Sequence, residues 1–172
     1  MGNGEQIGFD IEFDEKTQAW LDWVAPERIE SQVNTFVAET LGLTEIGDGP
    51  HSWWNAPLRG RVEKAVRDVF PDLDALTSPE NQNIADQFVC FLGDIFIRRT
   101  GMVWVNDPER GSLLYSDFGP CVVFDGDPVS VVSMARMAES AAMGESDHQF
   151  GFVWSILGNC VQRGRRTLHE DI

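Results

Sequence analysis

Three histidines, three cysteines and a surplus of carboxylates are the side chains of this sequence that could do chemistry, and their spacing sets how much. His51, His148 and His169 stand far apart, none three or four residues from another His or a Cys. A local zinc pair is therefore absent, and any metal site would have to be assembled by the fold. His51 alone has suggestive company, the run His51-Ser52-Trp53-Trp54, although a surface or hydrogen-bonded structural histidine accounts for it more simply. Cys90, Cys121 and Cys160 sit among apolar neighbours and read as core fillers with unactivated thiols. Asp125 and Asp127, in Phe124-Asp125-Gly126-Asp127-Pro128, could hold a cation or act as an acid and base pair. A turn followed by a helix cap explains Gly126 and Pro128 as well, and is the preferred reading.

The sequence contains no HExxH, GxSxG, GxxxxGK[ST] or SxxK motif and no EF-hand calcium loop. Accordingly no catalytic residue, no metal and no cofactor is expected. The enzyme or small-ligand alternative needs a site gathered from dispersed residues such as Asp117, Asp125 and His148.

Charge is the strongest compositional signal. Thirteen basic and 28 acidic residues in 172 give a formal net charge of −15. Residues 1–50 carry 2 basic and 11 acidic side chains, so the acid is concentrated at the front. Such a field repels nucleic acid and anionic lipid and speeds association with a basic protein surface. The plainer alternative is that an acidic proteome makes acidic proteins. With an odd cysteine count, no signal-like start and no long uncharged apolar run, a soluble cytoplasmic protein is expected.

The elements that must position these groups follow from periodicity. Ile7, Phe9, Ile11 and Phe13 alternate with Gly8, Asp10, Glu12 and Asp14, as in a strand with one wet, acidic face; residues 1–6 before it are expected to be mobile. One helix is predicted over Lys16–Val24. A second opens at Pro26, with Ile29, Val33, Phe36, Val37 and Leu41 on one face and Gly42 as its stop. Residues 42–60, rich in glycine and carrying Trp53 and Trp54, read as a long ordered loop.

Arg61–Phe70 forms another helix, ending before Pro71. A capping box from Thr77 to Glu80 introduces a central helix, with Ile84, Phe88, Phe91, Leu92, Ile95 and Phe96 as a broad apolar stripe closed by Gly101. Extended segments are expected at Met102–Asn106, Ser112–Ser116 and Cys121–Phe124. A helix capped by Asp127 and started by Pro128 would run to Gly144, with Val131, Val132, Ala135 and Ala138 inward, and a last helix would span Asp147–Arg163. These parts make a single α+β domain over residues 1–172, a small antiparallel sheet packed against several helices.

In the stretch Cys90–Trp104, Phe88, Leu92 and Ile95 face the core, Gly93 permits close approach by another element, and Arg98 and Arg99 suit the helix's C-terminal end. It reads as a joint where the central helix turns into the sheet.

The order of Leu92-Gly93-Asp94, Gly101 and Trp104, followed by the strand Val122-Val123-Phe124, resembles a helix-to-strand signature of small, mostly uncharacterised bacterial α+β families. In those families the helix ends in something like LGE, and some are thought to be immunity proteins of toxin systems; here Asp94 replaces the Glu. The resemblance covers about a third of the chain, implies an α+β fold, and carries no catalytic residue across.

The functional expectation is an acidic protein-binding protein, of the immunity type, that occludes a basic partner such as a toxin, with no nucleic-acid or membrane partner. Asp10, Glu12 and Asp14 would supply attraction, and His51, Trp53 and Trp54 would be the anchors. A homo-oligomer in which the aromatic loop is a self-contact is the further alternative.

Overall fold

The computed structural model describes residues 15–43, 58–143 and 149–170. The expected strand over 7–13, the mobile start, most of the 42–60 loop and the helix stop at Gly144 lie outside the described residues. What is described is an α+β fold: seven α-helices and a three-stranded antiparallel sheet.

Helix α1 (residues 15–24) turns Trp20 and Trp23 inward, their rings stacked with centroids 5.6 Å apart. Pro26 then opens α2 (Pro26–Thr35), its fixed φ suited to a first turn whose N–H would be unpaired anyway. Ile29 and Val33 are buried on α2, and the chain continues as a wider π-helical turn over Phe36–Thr40. That turn keeps Phe36, Val37 and Leu41 on the buried side, and Gly42, at φ +65°, ends it as expected.

Helix α3 (Leu58–Val69) buries Val62 and Val66, and Phe70 follows at the core before Pro71. A short α4 (Leu73–Thr77), which the sequence reading had not foreseen, is capped by Asp72 accepting from the Ala75 amide at 2.7 Å. Consequently Thr77 is no capping-box residue. It closes α4, its hydroxyl donating to the Leu73 carbonyl, and a 3-10 turn at Pro79–Asn81 leads into the next helix.

Helix α5 (Gln82–Thr100) is the axis of the molecule. An unbroken run from Gln87 to Gly93 is buried, which requires neighbours on every side; α2, α4, α6, α7 and the sheet supply them. Gly101, in the left-handed region at φ +76°, ends it with its amide on the Ile97 carbonyl.

The sheet has the order β1 (Val103–Asn106), β2 (Pro120–Phe124), β3 (Asp127–Ser133), with Trp104 opposite Val122 and Val122 opposite Val132. Two expectations are corrected here. Ser112–Ser116 is not a strand but part of the loop between β1 and β2. Its amides are claimed by side chains, Tyr115 N–H by the Ser112 hydroxyl and Leu113 N–H by Glu139, which removes them from any ladder.

Asp127–Ser133 is a strand rather than the start of a helix. Gly126, at φ +79°, reverses the chain after Phe124, and the β-branched Val129, Val131 and Val132 favour the extended form. Pro128 is tolerated because β3 is the sheet's edge. The helix starts later, as α6 (Met134–Ala142), with the Ser133 hydroxyl accepting from the Arg136 amide. Finally α7 (Gln149–Glu170) runs beyond the expected end at Arg163 and packs Phe150, Val153, Trp154 and Leu157 on the core.

One hydrophobic cluster joins residues of every described helix and reaches the sheet through Val122. Gly93 on α5 shows how tightly the joint closes. A Cβ there would lie 2.0 Å from the Trp104 ring, so only glycine lets β1 seat against the axis. Among the described residues no helix is long and apolar enough to cross a membrane.

Candidate functional site

The polar feature that the fold assembles is centred on Asp86, in the second turn of α5, with a side chain 13% exposed. Its Oδ1 accepts from the Trp23 indole N–H at 2.7 Å and the Tyr115 hydroxyl at 2.6 Å. Its Oδ2 accepts from Arg28 Nη2 and Gln32 Nε2, both at 2.6 Å. Each donor has its own reason to be there. Trp23 is on the buried face of α1, Arg28 and Gln32 lie four residues apart on one face of α2, and Tyr115 arrives on the β1–β2 loop, held by ring contacts to Trp23 and Phe118.

Burial alone would raise the Asp86 carboxyl's pKa, but the bonds from Tyr115, Trp23 and Gln32 and the charge of Arg28 outweigh it and hold the group below its ordinary value. Burial would likewise lower the Arg28 guanidinium's pKa, and Asp86 beside it reverses the sign. Burial, and then the Asp86 charge, push both the Tyr115 phenol and the Cys90 thiol well up. Burial also raises Cys160, and raises Cys121 to about 11, so all three cysteines are the unactivated thiols expected from their neighbours.

Chemically this is a saturated anion. Four donors fill the lone-pair positions of the carboxylate, so Asp86 has no acceptor capacity left for abstracting a proton or ligating a metal. A cavity of about 490 Å³ opens beside it, lined by Trp23, Arg28, Glu80, Asn83, Asp86 and Tyr115 among others. Yet Arg28 is committed as well, donating to the Trp23 carbonyl and lying 5.5 Å over that indole. Among the described residues no three His, Cys, Asp or Glu side chains are grouped so as to hold a metal ion.

A second hollow, of about 330 Å³, lies between α2, α5 and β1. Its floor is Val24, Ile29, Val33, Ile97 and Trp104, and Glu30 stands on its rim. Asp94 and Arg98, paired with each other, line it as well. The acids of the front are open to solvent. Glu15 and Asp22 on α1, Glu27 and Glu30 on α2, and Glu39 after it are all exposed, and none has an ion-pair partner among the described residues. Several of the chain's bases, by contrast, are answered. Arg59, Lys64, Arg98, Arg110 and Arg163 are matched with Glu63, Asp68, Asp94, Asp107 and Asp127.

Of the residues singled out from sequence, Asp10, Glu12, Asp14, His51, Trp53, Trp54 and His148 lie outside the described residues. Asp117 and Asp125 are exposed, on the β1–β2 loop and in the β2–β3 turn, and neither lines the hollows described here. Asp127 caps the turn through the Val129 amide and pairs with Arg163, in keeping with a structural part.

Asp86 was not singled out. Its one trace in the sequence is an acid inside the apolar stripe of α5, whereas its donors stand 63, 58, 54 and 29 residues away. Comparison with family models, curated proteins and solved structures finds no match to this chain.

Proposed function

We propose that this chain is an acidic protein-binding protein that occludes a basic protein partner, in the manner of immunity-type proteins. The observation that carries the reading is the imbalance in pairing. Arg28, Arg59, Lys64, Arg98, Arg110 and Arg163 are each answered by a nearby acid, while Glu15, Asp22, Glu27, Glu30 and Glu39 face solvent with no ion-pair partner among the described residues. An uncompensated negative face steers a positive one toward it and selects against anionic partners.

The hollow behind Glu30 adds what charge alone lacks, an apolar seat for a side chain flanked by cations on the partner. Asp10, Glu12 and Asp14, directly before α1 in sequence, extend the same charge. The saturation of Asp86 also favours binding over turnover, since this largely buried acid is occupied in holding α1, α2, α5 and the β1–β2 loop together.

The test is affinity capture from the source cell at low and high salt, with wild type and with Glu27→Lys plus Glu30→Lys. The expected outcome is a stoichiometric basic partner whose recovery falls with salt and with the charge reversal. Recovery of no basic partner, or of one indifferent to both changes, would overturn the proposal.

A further inference from the structure

We propose that the hollow between α3, α5 and α7 is a binding site for a compact polyvalent oxyanion, a phosphate or a polycarboxylate. In a chain of net charge −15, three arginines, Arg59, Arg99 and Arg165, line one cavity of about 290 Å³ together with Trp154, Gly158 and Gln162.

Their arrangement is prepared rather than incidental. Glu63 accepts both the Trp154 indole N–H at 2.6 Å and Arg59 Nε at 3.3 Å, and the Arg59 guanidinium lies 5.1 Å over the Trp154 ring. That fixes the plane of Arg59 by its inner edge and leaves its two outer nitrogens without a partner among the described residues. An outer edge of this kind is the fork that carboxylates and phosphates accept in pairs. Arg165 has no acid to answer it among the described residues.

Nor does the helix dipole account for the arginines of α7. The favourable field of a C-terminus falls off within the last turn, and α7 continues four residues past Arg166 to Glu170. Gly158 points the same way. Mid-helix glycine is unfavourable, and a Cβ at this position would meet nothing within 4 Å, so no packing contact requires its absence. What the missing side chain does provide is room in the hollow.

Calorimetric titration of the full chain with inorganic pyrophosphate, and separately with citrate, at constant ionic strength tests this. The expected result is saturable one-site binding of at least one of the two, which also tells phosphate from carboxylate. Affinity should weaken about tenfold in Arg165→Gln and in Arg99→Gln, since each removes a charge-assisted donor. It should be unchanged in Arg136→Gln, an exposed arginine on α6 that removes the same net charge. Thermal melts of the unliganded variants establish that all three are folded. Binding of neither anion, or an equal loss in Arg136→Gln, would overturn the proposal.

Discussion

The hydroxyl of Tyr115 donates to Asp86 Oδ1 at 2.6 Å, tying the β1–β2 loop to the central helix across 29 residues of sequence. Tyr115 is the chain's single tyrosine, so this contact can be read without mutation. Burial and the Asp86 charge raise the phenol's pKa, hence its stabilising contribution is whole below the unfolded value of about 10 and is lost as pH rises beyond that value. Ultraviolet titration of the native protein should show no tyrosinate at pH about 10, with its prompt appearance when denaturant is added. Ordinary titration in the native state would disprove the contact.

Removing the phenol's oxygen tests the same bond from the folded side. Tyr115→Phe keeps the ring contacts to Trp23 and Phe118 but leaves Asp86 with three donors. A hydrogen bond to a charged acceptor is worth about 2 kcal/mol. A loss of that order in urea unfolding is expected, with far-ultraviolet circular dichroism unchanged.

Asp86→Asn should cost more, about 3 kcal/mol, because Arg28 loses its counter-charge and the amide's NH2 faces donors where an acceptor is needed. The pH dependence follows from the lowered pKa of Asp86. Its contribution is complete above the unfolded carboxylate value of about 3.9 and drains away as pH falls through the lower folded value. The stability gap between wild type and Asp86→Asn should therefore narrow below pH about 4, and a gap that stays constant would count against the assignment.

The parts of this architecture that sequence reveals are those with local causes. Pro26 and the spacing Ile29, Val33, Phe36, Val37 and Leu41 announce α2, and the apolar stripe closed by Gly101 announces α5. Where two local signals compete, the outcome depends on partners. Asp127 and Pro128 suit a helix start, yet β2 was waiting to pair with Val132 and Ser133, and the ladder prevailed. Ser112–Ser116 has strand composition but hydrogen-bonds to its own Ser112 and to Glu139 instead.

The Asp86 cluster was illegible for a stronger reason. Its members come from four elements, and no spacing rule links residue 86 to residues 23, 28, 32 and 115. The acidic front, by contrast, is a matter of composition and was plain from the first fifty residues. Only the structure distinguishes its unpaired carboxylates from those that the chain itself answers.

At the joint between α5 and β1, Gly93→Ala places a methyl 2.0 Å from the Trp104 ring, with both residues held on regular elements. Overpacking of this kind costs about 1 to 3 kcal/mol. The smaller ring in Gly93→Ala plus Trp104→Phe should recover part of the loss relative to the sum of the two single variants. Strict additivity of the single losses would show that the glycine and the indole do not meet.

The same substitution should have the opposite sign on α7. Gly158→Ala adds a Cβ that touches nothing within 4 Å, so no clash offsets the gain in helix propensity, worth up to about 1 kcal/mol. For a chain of this size that corresponds to a rise in Tm of about 2 to 4 °C. Calorimetric melting should find the variant more stable than wild type. Because the same methyl enters the arginine-lined hollow, the gain in stability should come with no gain in anion affinity. A glycine retained where alanine would stabilise is what a site kept open for a ligand requires, and a melting point that falls instead would mean that Gly158 serves the packing of α7 after all.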